Sequence, residues 1–213
     1  MTDKHKGGER ASAQPKSVAG DRLDREDWIA AARKVLIRAG VGEVKVDRLA
    51  RDLRVTRGSF YWHFKDRNDL LSALLLSWVR SNTEPFQRVL QSDTESPLVQ
   101  CRRFIEVWIR GTEFDPDYDS AMRDWARNAP ETAVLVARAD ETRMAILRDI
   151  FMRMGYDAVE AEVRARVAYY HQVGYYALRI VESQQLRRTL LPTYFRILTG
   201  VPMPRVGRAR ARS

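Results

Sequence analysis

Between Arg57 and Arg67 the chain reads RGSFYWHFKDR, which brings cations, small residues, a phenol, an indole and an imidazole into one short stretch. Arg57 can pair with base edges, Ser59, Trp62 and His63 can donate to or accept from them, and Gly58 lets a backbone approach closely. Tyr61, Lys65 and Arg67 suit phosphate oxygens. This is the chemistry of docking on duplex DNA, provided that Arg57, Gly58, Ser59, Tyr61, Trp62 and His63 face outward.

Two short helical patterns position those side chains. Val46, Leu49, Ala50 and Leu53 follow the i, i+3, i+4, i+7 spacing of one apolar helix face and leave Arg48, Arg51 and Arg54 outside. A second pattern begins at Thr56, a residue type whose hydroxyl caps helices. Its apolar residues Phe60 and Phe64 are four apart and share a face. The two patterns meet at a tight break, which predicts a helix-turn-helix. Upstream, from the N-cap candidate Asp24 to Ala39, the residues Trp28, Ile29, Ala32, Val35 and Leu36 form a stripe that covers the two phenylalanines, and Gly40 ends the helix. Downstream, Lys65 and Arg67 stand at the start of the next helix, where cations and free amides can grip a phosphate together.

The run GSFYWHFKDRNDLL, preceded by VDRLARDLRVTR and by an amphipathic helix ending in Ala39-Gly40, resembles the DNA-binding domain of the TetR family of bacterial transcriptional regulators. The resemblance is specific over residues 25–75 and architectural beyond them. It implies that Thr56, Arg57, Gly58, Ser59, Tyr61, Trp62 and His63 line an operator and that Lys65 and Arg67 lie by its backbone. Two positions depart from the family pattern. Arg54 stands where a left-handed glycine commonly ends the second helix, a strain of roughly 1 kcal/mol. Lys45 stands where a threonine commonly caps that helix, which keeps a phosphate partner and loses the cap.

The 213 residues are 45% hydrophobic, enough for one small and one larger domain. Charge is unevenly distributed: residues 1–68 hold 16 Lys and Arg against 10 Asp and Glu, residues 69–200 hold 17 against 18, and residues 201–213 hold 4 against none. The excess behind the net +9 is thus at the helix-turn-helix end and the last residues, as expected if a polyanion meets that end. A single cysteine, Cys101, rules out an intrachain disulfide, and neither an export signal nor a membrane span is expected, so the cell interior is the expected location. The longest apolar window, Leu70 to Val79, is about half a span. Residues 1–22 and the Arg-rich residues 201–213 are expected to be unfolded tails.

The remainder predicts helices at about 70–82, 97–112, 117–128, 130–154, 157–182 and 184–199, with Pro85 and residues 92–97 breaking the pattern. Val163, Val167, Tyr170, Gly174, Ala177 and Val181 form one seam, while Tyr169, Val173, Tyr176 and Ile180 form another. A helix apolar on two sides needs two neighbours. One can be the domain core. The other can be a second copy of the chain, with Leu186, Leu190, Ile197 and Leu198 completing a four-helix seam as the resemblance implies; both faces can also be satisfied within one monomer. Phe104, Trp108, Tyr118, Met122, Trp125, Met144, Phe151, Tyr169 and Tyr176 have the spacing of ordinary core, and the resemblance implies an effector cavity among such residues. Asp115, Asp117 and Asp119 mimic a calcium loop, but Ser120 and Ala126 occupy its glycine and glutamate positions. His5, His63 and His171 lack metal-ligand spacing, no catalytic motif accompanies Cys101, and His171 is expected in the interior.

The expected molecule is all-α: a helix-turn-helix domain at 23–68, then a helical ligand-binding and dimerisation domain at 69–200. The expected function is a homodimeric repressor on a palindromic operator, released by an unidentified small-molecule effector, with no enzymatic activity, cofactor or metal. Two other functions fit the residues: a small-molecule-binding or enzymatic helical protein with an incidental helix-turn-helix, and a nonspecific architectural DNA binder.

Overall fold

The computed structural model describes residues 23–91 and 95–204; the two expected tails, 1–22 and 205–213, lie outside the described residues. The regular structure is helical: α1 (Arg25–Ala39), α2 (Val46–Asp52), α3 (Arg57–Phe60), α4 (Arg67–Arg88), α5 (Pro97–Arg110), α6 (Pro116–Ala126), α7 (Pro130–Arg153), α8 (Ala158–Ala177) and α9 (Gln184–Thr199). Local chemistry sets the starts. Asp24 and Asp27 close a reciprocal capping box on α1, and Asp66, Ser96, Asp115, Asp157 and Ser183 cap α4, α5, α6, α8 and α9.

Two helices end in a way the residue types conceal. α2 closes with Val55 N–H on Ala50 O at 2.9 Å and Arg54 N–H on Arg51 O at 3.1 Å, and α8 closes with Ile180 N–H on Tyr175 O at 3.3 Å and Arg179 N–H on Tyr176 O at 2.9 Å. Both are Schellman closures, and the left-handed residue in each is an arginine: Arg54 at φ +58° and Arg179 at φ +51°. The strain expected at Arg54 is therefore present. α8 stops at Ala177, short of the expected residue 182, because Arg179 turns the chain where no glycine announces a break. α4 errs the other way and runs through Pro85 to Arg88. Pro85 and its neighbour Phe86 are both buried, so packing holds a last turn that has lost one backbone bond.

Two apolar cores fill the molecule. The first joins Trp28, Leu49, Phe60, Phe64, Leu70 and Trp78 to Tyr118 and Met122 of α6; the second gathers Phe86, Phe104, Trp108, Phe151, Tyr169 and Phe195. The packing boundary thus crosses α4 midway and does not fall at residue 68. Residues 201–204, expected as part of a free tail, also belong to the body: Met203 packs on the second core and Pro204 O accepts from Arg102 at 2.6 Å.

Polar contacts tie α6 to both its neighbours. Arg33 of α1 pairs with Asp115, and Asn82 of α4 donates to Asp115 O at 2.8 Å. Deeper, Arg143 of α7 is 1% exposed and donates to Asp119 at 3.2 Å, to the Tyr169 hydroxyl at 3.1 Å and to Thr83 at 3.3 Å. Arg123 holds Asp140 through both guanidinium nitrogens, at 2.9 and 2.6 Å, and Trp78 Nε1 donates to Asp119 at 3.2 Å. Burial penalises the charge on Arg143, but Asp119, Tyr169 and Asp140 outweigh that penalty and hold its pKa above the ordinary value. Two arginines and two aspartates balance each other, so the cluster ties four helices together with no net buried charge.

Replacing Arg54 with Gly should raise the thermal midpoint, a gain of up to about 1 kcal/mol, since glycine adopts φ +58° without a Cβ clash; a lower midpoint would refute the strain. Arg143→Leu should lower unfolding free energy by about 3–5 kcal/mol, because the buried Asp119 would lose its buried partner and share Arg123 with the partly buried Asp140. Chemical denaturation of both variants reads these changes.

Candidate nucleic-acid interface

The helix-turn-helix depends on three packed rings. Phe60 lies edge-on to Trp28 at 5.3 Å between centroids and stacks on Phe64 at 5.2 Å, with the Arg25 guanidinium 4.7 Å from the Phe64 ring. Both phenylalanines are buried, as their spacing requires. α3 is a single turn, and Tyr61 N–H on Gly58 O and His63 N–H on Phe60 O continue it as turns. With Phe60 and Phe64 inside, the residues between them emerge: Trp62 is 79% exposed and Tyr61 51%. Ser59 and His63 are half-buried, while Arg57 and Gly58 are exposed. A Cβ on Gly58 would meet only the Thr56 hydroxyl, at an ordinary 3.7 Å, so nothing within the chain demands glycine there.

Arg57 is held in place by its own surroundings. It donates to the Tyr61 hydroxyl at 3.2 Å and lies 3.5 Å from Asp47 of α2, and these two groups, Tyr61 first, raise its pKa. Thr56 takes the N-cap position of α3 without the expected hydroxyl bond. Lys45, at the N-cap of α2, likewise makes no cap bond and instead pairs with Glu43 at 3.1 Å, lowering the Glu43 pKa. Arg48, expected to point outward, is half-buried against Glu43 at 2.8 Å.

Arg67 corrects the sequence reading. Its Nε donates to Val44 O and its terminal nitrogen to Val41 O, both at 2.6 Å. The guanidinium therefore clamps the 3-10 turn Val41–Glu43 and its C-cap Val44, which join α1 to α2, and is not a free phosphate cation. The amides at the start of α4 are not all free either: Lys65 N–H is taken by Asp69 and Asp69 N–H by Asp66. The Lys65 side chain remains exposed.

The nine expected pocket residues do not converge. Tyr118, Met122 and Trp125 belong to the first core; Phe104, Trp108, Met144, Phe151, Tyr169 and Tyr176 belong to the second. Aromatic groups at helical spacing here are core. Of the nine, Trp108 alone lines an open groove of about 420 Å³ between α5, α8 and α9. Sequence reasoning missed the other walls of that groove, such as Ile105 and Gln172, because neither stands out by type. The seam residues Val163, Val167, Tyr170, Ala177, Leu186 and Ile197 are exposed, Gly174 and Leu190 half-buried, and Val181, beyond the end of α8, is 97% exposed. His171, expected in the interior, is exposed against Tyr194, with ring centroids 5.1 Å apart. Asp115 and Asp119 of the apparent calcium loop serve as helix cap and arginine partner. Burial pushes the Cys101 thiol up to about 12, so it carries no thiolate at neutral pH. Among the described residues no group of His, Cys, Asp and Glu has the arrangement of a metal site, and no helix is long and apolar enough to cross a membrane.

Arg67→Ala should lower the thermal midpoint by freeing two carbonyls of the turn before α2, each bond worth about 1.5–3 kcal/mol. Arg67→Lys, which cannot span both carbonyls, should restore only part. A midpoint unchanged by either substitution would return Arg67 to the role of a surface cation.

Residues 29–74 match the family described as bacterial regulatory proteins, tetR family. Over 62 residues the chain is 39% identical to the uncharacterized HTH-type transcriptional regulator TtgW of Pseudomonas putida, covering 29% of this chain and 46% of that protein. Over 123 residues it is 28% identical to the HTH-type transcriptional regulator EthR of Mycolicibacterium smegmatis, covering 57% of this chain and 54% of that protein. The chain thus spans about half the length of these curated relatives. In fold it is similar to a bacterial regulatory protein in the tetR family from Rhodococcus RHA1, with a TM-score of 0.64 at 15% identity over 85% of this chain and 97% of that one. That likeness carries the architecture of most of the chain, while the family-model match covers the helices that hold Trp28, Phe60 and Phe64. The segment from residue 29 to 74 is a helix-turn-helix domain of the TetR family of bacterial regulatory proteins.

Proposed function

We propose that this chain is a transcriptional regulator, a repressor, that binds a palindromic duplex operator as a homodimer and is released by a small-molecule effector. The observation that carries the reading is the burial of Phe60 and Phe64 against Trp28 with Trp62 and Tyr61 thrust into solvent. Trp62, 79% exposed beside the exposed Tyr61, offers the kind of aromatic contact that interfaces use. Sequence is read by Arg57, Ser59, Trp62 and His63. Phosphates are held by Lys45, Lys65 and Tyr61, and Thr56 and Gly58 lie against the backbone of the duplex. Arg57, already oriented by Tyr61 and Asp47, loses little freedom on binding.

The apolar face of α8 and α9 supports pairing. Val163, Val167, Tyr170 and Ile197 are each more than half exposed, and Val163, Val167 and Ile197 line one groove; contiguous exposed apolar side chains mark interaction surfaces. A Cβ on Gly174 would meet nothing within 4 Å, which leaves room for a helix of a second copy. Two reading heads about 34–36 Å apart then enter successive major grooves. The operator is therefore two-fold symmetric, and an effector that favours another separation of the heads releases it.

Selection of duplexes from a random pool by the purified chain should return a two-fold symmetric consensus. On that duplex, Arg57→Ala should cost about 1–3 kcal/mol and flatten preference at one base position in each half. Lys65→Ala should weaken all duplexes alike and reduce the salt slope by about one. Retention of no duplex, or the same loss profile for both variants, would sink the reading, and equal affinity for every duplex would make the chain an architectural binder.

A further inference from the structure

The groove between α5, α8 and α9 has a volume of about 420 Å³, within the ~300–1,000 Å³ range of small-ligand sites. Its surface is mostly apolar, with Trp108 from α5, Ala168 from α8 and Leu191 from α9 among its walls. Each charged group along it has at least one polar partner. Arg187 donates to Trp108 O at 3.4 Å, Arg164 binds Glu160 and Leu198 O, and Glu182 accepts from the Tyr175 hydroxyl at 3.3 Å. One wall residue differs. Gln172 is 7% exposed, and its Nε2 is buried with no hydrogen-bond partner. A buried amide N–H left unpaired keeps the full penalty of its lost hydration, and such groups are rare in folded proteins.

We propose that this groove binds a neutral, largely apolar small molecule through a carbonyl oxygen that accepts from Gln172 Nε2. Neutrality follows from the walls. Apolar walls such as Trp108, Ala168 and Leu191 return little for the lost hydration of an ion, and the Gln172 N–H calls for an acceptor. The apolar remainder of the ligand replaces water over Trp108, Ala168 and Leu191. Val163, Val167 and Ile197 line the groove and also belong to the face assigned to the second copy, so a bound ligand lies beneath that seam. A ligand held there favours whichever pairing geometry encloses it better, which would make it the effector. That last step rests on the regulator reading; binding to the groove does not.

The test is calorimetric titration of the full chain with 2-nonanone, nonanoate and nonylamine. The ketone should saturate at one molecule per chain, with the two charged analogues about tenfold weaker or worse. Gln172→Leu should weaken the ketone about fivefold. Equal binding of all three, tighter binding of nonanoate, no saturable binding, or a Gln172→Leu chain with undiminished ketone affinity would overturn the proposal. Should that variant fail to fold, the three-ligand series on the unaltered chain decides alone. Sedimentation of the same samples separates the two readings: a monomer that binds the ketone sinks the pairing, and a dimer that does not sinks the groove.

Discussion

Everything at the reading head follows from one contact, the packing of Phe60 between Trp28 and Phe64. A four-residue helix has almost no intrinsic stability, since nucleation fixes several residues for a single hydrogen bond. α3 persists because its last residue is clamped in a core built by α1. The same clamp sets the direction of its neighbours. With Phe60 and Phe64 turned inward, Tyr61 and Trp62 have nowhere to go but outward. The clamp also needs α2 to leave at the right angle, which Arg54 supplies by taking a left-handed conformation at a cost of roughly 1 kcal/mol. Arg67 fixes the other end by holding Val41 and Val44 carbonyls, so the loop that launches α2 is braced from α4.

Local signals were legible and partners were not. The stripe of Trp28, Ile29, Ala32, Val35 and Leu36, the cap at Asp24, and the four-residue spacing of Phe60 and Phe64 are short-range patterns, and each carried through to the structure. The arginine at 54 was readable as strained because a glycine is wanted there; the arginine at 179 was not, since nothing local contrasts with it. Pro85 broke a pattern on paper, but burial of Phe86 beside it held the helix. Arg67 looked like a phosphate cation by its position, and only the fold brings two carbonyls, more than twenty residues away, within its reach. Eight of the nine aromatic and methionine candidates fall away from the groove for a related reason: helical spacing says that a side chain is inside, not which inside it shares.

The buried charges were equally hidden. Asp119 reads as part of an incomplete calcium loop, and Arg143 as one of many arginines, yet together they lie at the junction of α4, α6, α7 and α8. Replacing such a cluster with apolar side chains is often neutral for stability, so stability alone is a weak account of it. What a charge-balanced cluster adds is geometry. Each guanidinium accepts only a few arrangements of its carboxylates, whereas an apolar contact tolerates sliding.

That geometry bears on how an occupant of the groove would reach the duplex. Tyr169 of α8 joins the cluster through its hydroxyl, three residues before Gln172 in the groove wall. The cluster holds Asp119 of α6, and α6 holds α1 through the Arg33–Asp115 pair and α4 through Asn82. α1 carries Trp28 and α4 carries Arg67, the two residues that brace the reading head from opposite sides. A displacement of α8 therefore meets a continuous set of directional polar contacts before it meets the head. α6 is thus bonded to both α1 and α4. A coupling of this kind is reciprocal. A duplex that holds two heads at its own spacing would change the affinity of the groove by the same factor by which the groove's occupant changes the affinity for the duplex.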